Sequence, residues 1–122
     1  MLKAGVFDDF KGANTLLLWG DREGMAVLLA GLSALRAGEG KQFVIDGTGT
    51  HLTMCLAKSK TQWSTLQSED SGFRWECSQD TLEFAADLVE PLLLGAGHQF
   101  LDVSGLAEQV IIARDEYAAD LR

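Results

Sequence analysis

Gly95-Ala96-Gly97-His98-Gln99-Phe100-Leu101-Asp102-Val103, a polar break at Ser104-Gly105, and then Gln109-Val110-Ile111-Ile112-Ala113-Arg114 read as two short strands, closed by Asp115-Glu116-Tyr117. Phe100 and Val103 with Val110, Ile111 and Ile112 supply the aromatic and β-branched side chains that suit a half-buried sheet. The break between them is short enough to join neighbouring antiparallel strands. The same stretch holds one of the two histidines, the only tyrosine, and acids at Asp102, Glu108, Asp115 and Glu116.

Upstream, the chain offers what such a sheet needs as a cover. Asp80-Thr81-Leu82-Glu83 resembles a capping box and opens a helix with Phe84, Ala85, Leu88 and Leu92 on one side; Pro91 removes a backbone donor and predicts an end near Glu90 or one further turn before Gly95. Phe73, Trp75 and Cys77 alternate with Arg74, Glu76 and Ser78, the period of a half-buried strand. Lys58 to Gly72 is rich in Ser, Thr, Gln and Lys and reads as a linker interrupted by Trp63 and Leu66. His51 to Lys58 alternates, with Leu52, Met54 and Leu56 facing one way, and pairs with Lys41–Asp46 across a turn at 46–50. Met25, Leu28, Leu29, Leu32 and Leu35 form one helical stripe, with Asp21 as its N-cap and Gly38 and Gly40 marking its end. Thr15-Leu16-Leu17-Leu18-Trp19 is a short apolar strand, and residues 2–7 form a first edge strand before a polar turn at Asp8-Asp9. Two amphipathic helices on one face of a mostly antiparallel sheet of about five to seven strands would bury both stripes at once, so an α+β single domain over 1–122 is expected. The hairpin-and-helix order recurs loosely in both halves, without residue similarity.

A chain of 122 residues can bury about two thirds of its unfolded surface in one core. Ten basic residues against eighteen acidic ones, a formal charge of −8, disfavour a nucleic-acid face, which clustered Lys and Arg would have to supply. The same balance suits long-range attraction to a basic partner. Cys55 and Cys77 lie in apolar strands, as small buried thiols do, which favours a reducing cytoplasm over a disulfide or metal site. No metal-ligand spacing occurs, so neither a metal nor another cofactor is expected. The longest apolar run, Met25 to Leu35, is far short of the ~20 residues that span a bilayer, and the N-terminal residues do not read as a signal peptide.

His98, with Asp102, Glu116 and Tyr117 nearby in sequence, is the one candidate for general acid–base chemistry. On a strand, however, His98 and Asp102 share a face about 13 Å apart, and Ser104 and Cys55 sit in no recognisable nucleophile elbow. Asp8 and Asp9 point to opposite faces of a strand, and Gly47-Thr48-Gly49 lacks the third glycine and following helix of a phosphate loop. Trp63 in a polar stretch is a candidate contact residue.

The tail, Gly97-His98-Gln99-Phe100-Leu101-Asp102 followed by a Val-Ile-Ile strand and Asp115-Glu116-Tyr117, resembles the C-terminal pattern of small α+β immunity proteins found beside bacterial polymorphic and contact-dependent toxins. Phe100 stands where that pattern has Tyr, and Ala113 where Ser is frequent. The resemblance covers residues 97–117. It implies a cytoplasmic, non-catalytic protein that binds and blocks a cognate toxin, often a basic nuclease. On that reading Trp63, Glu69, Asp70, His98, Asp102, Asp115, Glu116 and Tyr117 are the partner-binding candidates. The rivals are a small hydrolase or ligand-binding enzyme using His98 with a carboxylate, and a subunit that self-associates through a strand edge.

Overall fold

The computed structural model describes residues 1–47, 49–58 and 63–116. In chain order these form β1 (Leu2–Phe10), β2 (Ala13–Gly20), α1 (Arg22–Arg36), β3 (Phe43–Asp46), β4 (His51–Leu56), β5 (Ser64–Glu69), β6 (Gly72–Cys77) and α2 (Gln79–Val89). A 3-10 turn, Glu90–Leu93, continues α2, and β7 (Gly97–Asp102), β8 (Ser104–Gly105) and β9 (Gln109–Arg114) follow.

The α+β class is the expected one, but the strands divide between two mixed sheets, ordered β1-β2-β9-β7 and β3-β4-β6-β5-β8. Leu16, Leu18, Val110, Ile112 and Leu101 of the first sheet and Leu52, Met54, Leu66, Trp75 and Cys77 of the second share one buried core with the stripes of both helices. Splitting the strands lets two sheet faces, rather than one, bury against the helices.

The two sheets have the same connectivity. In β1-β2-β9-β7 and in β5-β6-β4-β3 the successive pairings are antiparallel, parallel and antiparallel. Each sheet takes its leading hairpin from one half of the chain and its trailing hairpin from the other. The helix caps Asp21 and Ser78 correspond, and so do the buried pairs Met25 and Leu82, Leu28 and Ala85, Leu32 and Val89, and Leu35 and Leu92, all at one sequence separation. Hydrogen bonds repeat as well: Asp21 N donates to Met1 O as Ser78 N does to Trp63 O, and Asp115 N donates to Gly20 O as Ala57 N does to Cys77 O. The recurrence is thus one of burial and backbone pairing, which is why residue identities did not display it.

Helix α1 follows its stripe, with Leu29 only half-buried and the other four residues buried. Gly38, at φ +74°, lies just beyond its end; Gly40 has no positive φ. Gly31 admits the ring of Phe43, whose atoms lie 2.7 Å from where a Cβ would stand. Gly31→Val should therefore displace Phe43 and cost about 1–3 kcal/mol, read as a lower urea midpoint. The Asp21 carboxylate accepts from Gly24 N at 2.8 Å and lies 2.9 Å from the Met1 ammonium. The helix amide first, and the ammonium next, hold this carboxyl below the usual carboxylate range. A depressed folded-state pKa adds stability that is present above the unfolded value and disappears as pH falls through the folded value. Asp21→Asn should accordingly show a shallower loss of stability than the parent below about pH 4, measured by acid titration of thermal midpoints.

Three expectations are corrected. Residues 64–69 of the supposed linker are strand β5, lying between β6 and β8; only Ser64 and Leu66 are buried, so the alternation is carried by a single apolar side chain. The cap of α2 is Ser78, whose hydroxyl accepts from Thr81 N at 3.1 Å, because β6 ends at Cys77 and Ser78 is the last extended residue; Asp80 lies inside the first turn. The buried face of α2 is consequently Thr81, Leu82, Ala85 and Val89, continued by Leu92, with Phe84 exposed. Strand β1 also runs on through Asp8 and Asp9 to Phe10, with a register shift after Phe7 and Asp9 at φ +52°. The antiparallel pairings of β3 with β4 and of β7 with β9 form as expected, and Thr48 of the expected turn lies outside the described residues. Cys55 and Cys77 are buried free thiols, and burial pushes the Cys77 thiol well up, so it remains protonated. Among the described residues, no helix is long and apolar enough to cross a membrane.

Candidate functional site

On the outward side of α2, Asp80, Glu83, Phe84 and Asp87 are spaced so that they share one helical stripe. Trp63, just before β5, lies against that stripe, its ring 5.7 Å from the ring of Phe84 at an angle of 60°. Its carbonyl accepts from Ser78 N at 3.0 Å and from the Thr81 hydroxyl, and its indole Nε1 donates to Asp102 O at 3.0 Å. Trp63 is therefore held at backbone and ring, yet it stays 40% exposed and Phe84 43%. A hollow of about 280 Å³ is lined by Trp63, Asp80, Glu83, Phe84 and Asp87. A second, of about 370 Å³, is lined by Trp63, Ser64, Asp102, Val103 and Ser104. Arg36 reaches Glu83 at 3.5 Å with both side chains half exposed, a geometry worth little in water.

His98 stands on the outer face of the first sheet, with Nδ1 2.7 Å from Glu116 Oε2. That carboxylate, rather than Asp102, is the histidine's partner; between β9 and Glu116 the backbone bends at Asp115, whose φ is +56°. A hollow of about 230 Å³ beside it is lined by Lys11, His98, Phe100, Gln109 and Ile111. Its lining contains no hydroxyl or thiol among the described residues, and it is smaller than the ~300–1,000 Å³ usual for ligand pockets.

Of the remaining candidates, Glu69 and Asp70 line a separate hollow with Ser71, and Asp115 adjoins Glu116. Glu69 is paired with Arg74 at 2.6 Å, and the Arg74 guanidinium also donates to Cys55 Sγ at 3.3 Å. The Cys55 sulfur first and Glu69 second hold the Arg74 proton more firmly, so Glu69 serves the sheet surface. Asp70 is exposed in the β5–β6 turn, and Asp115 pairs with Arg114 at 3.2 Å. Tyr117 lies outside the described residues. Of the sequence candidates, the fold brings together Trp63 with Asp102, and His98 with Glu116. It adds Phe84, Asp80, Glu83 and Asp87, which were missed because Phe84 was assigned to the buried stripe. The spacing of Leu82, Ala85, Val89 and Leu92 is the signal that excludes Phe84 from that stripe. Among the described residues no three His, Cys, Asp or Glu side chains gather as metal ligands. No protein-family model matches the chain, and no curated protein matches it.

Proposed function

We propose that the protein is a non-catalytic binding domain of the immunity type, which neutralises a basic toxin by covering it with the Trp63–Phe84 surface. The observation that carries this reading is the aromatic pair itself, held in place from behind, left half exposed, and framed by Asp80, Glu83 and Asp87. Anchored aromatics that lose their remaining water on contact supply most of the energy at protein interfaces, and Trp is among the residues enriched there. A net charge of −8 raises the encounter rate with a cationic partner and disfavours nucleic acid. Co-purification with the product of the adjacent gene, followed by a toxin-activity assay of the pair, tests the proposal. Suppression at equimolar ratio is expected; full toxin activity at molar excess would remove that partner.

The contact between His98 and Glu116 favours a second reading, a small hydrolase or ligand-binding enzyme in which Glu116 orients the imidazole. It needs a nucleophile, and the lining of the adjacent hollow offers no hydroxyl or thiol among the described residues. A turnover of simple esters that His98→Gln abolishes would establish it in place of the first reading.

A further inference from the structure

The geometry points to two cation subsites on this surface that share Trp63 as a wall, and we infer that the partner presents a pair of Lys or Arg side chains, one to each. The inference rests on the binding reading above and specifies the chemistry of the occupant. Trp63 is a wall of both hollows. One is completed by Asp80, Glu83, Asp87 and Phe84, the other by Ser64, Asp102, Val103 and Ser104. Among the described residues neither lining includes a basic side chain; Arg36, which reaches Glu83 at 3.5 Å, is part of neither. Each joins an aromatic residue to at least one acidic one, the combination of charge and aromatic surface that favours a cation. The bond from Nε1 to Asp102 O fixes the indole, so little rotamer freedom is lost when a partner packs on it.

The duplicated connectivity argues that the fold does not require these side chains. The first-half counterpart of Trp63 is Met1, whose carbonyl accepts from the helix cap in the same way. Glu23 stands for Asp80, Ala26 for Glu83, Val27 for Phe84 and Ala30 for Asp87. The same cap, helix and sheet therefore form where there is neither an aromatic pair nor a triple of acids. In an extended segment, side chains two residues apart lie on one face roughly 6.6 Å from each other, a separation suited to two neighbouring subsites that share one wall.

Blocked Arg-Gly-Arg, Arg-Gly-Gly and Gly-Gly-Arg peptides, titrated into the full chain while the Trp63 indole N–H is followed by NMR, test the inference. The two-arginine peptide should bind about tenfold tighter than either single-arginine peptide. Asp87→Asn and Asp102→Asn should each remove that preference, whereas Asp70→Asn, at the far end of β5, should preserve it. Equal affinity for one and two arginines, absence of binding at millimolar peptide, or equal losses in Asp70→Asn and Asp102→Asn would overturn the paired subsites. Those outcomes leave the inhibitor reading standing if the toxin is still suppressed, so the two can fail separately.

Discussion

Trp75→Ala is expected to lower stability by about 3–5 kcal/mol, a large share of the ~5–15 kcal/mol that holds a domain of this size together. Trp75 is fully buried on β6, opposite Met54 of β4 and Leu66 of β5. Its ring thus fills the second sheet's contribution to the common core, and truncation leaves a void bordered by three strands. The indole Nε1 of Trp75 has no hydrogen-bond partner among the described residues. A buried donor of that kind costs about 1–3 kcal/mol, so Trp75→Phe, which removes it and keeps most of the ring, should lose far less than the alanine variant. Urea unfolding followed by circular dichroism reads both. A phenylalanine variant as unstable as the alanine one would show that the N–H is paired in the folded protein.

Trp63→Ala should behave in the opposite way. Because Trp63 and Phe84 are each about 40% exposed, the folded chain should keep its thermal midpoint within a few degrees. Partner affinity should fall by roughly 30-fold or more, the loss that marks a central interface aromatic. Calorimetric titration against the toxin measures it, and unchanged affinity would move the interface elsewhere on the protein. Asp87→Asn should act more on the association rate, with an effect that fades as salt is raised. The contrast between two tryptophans twelve residues apart separates a core anchor from a contact residue.

Much of the architecture could be read locally. The Met25–Leu35 stripe and its Asp21 cap, the antiparallel pairing of β3 with β4 and the strand pattern around Trp75 each depend on interactions within a short stretch, and each formed. Strand β5 was hidden because Leu66 is its only buried apolar side chain; its place is set by pairing with β6 and β8 rather than by its own hydrophobicity. The site was legible only in part. Trp63 stood out in a polar stretch, but its companions on α2 depended on a helix start displaced from Asp80 to Ser78, and two residues of displacement change which side chains face the core. Glu116 was a neighbour of His98 in the list of acids, while its selection over Asp102 depended on the antiparallel pairing of β7 with β9 and the bend at Asp115.

The sequence by itself determined the helices, most of the strands, the buried thiols and the acidic surface, because periodicity, capping and composition are local properties of the chain. Tertiary structure alone decided the division into two sheets, the parallel pairings of β2 with β9 and β4 with β6, and the placing of Trp63 on α2. Those pairings join segments far apart in the chain, and they are chosen by which apolar faces fill one core together, a condition that no single stretch of residues expresses.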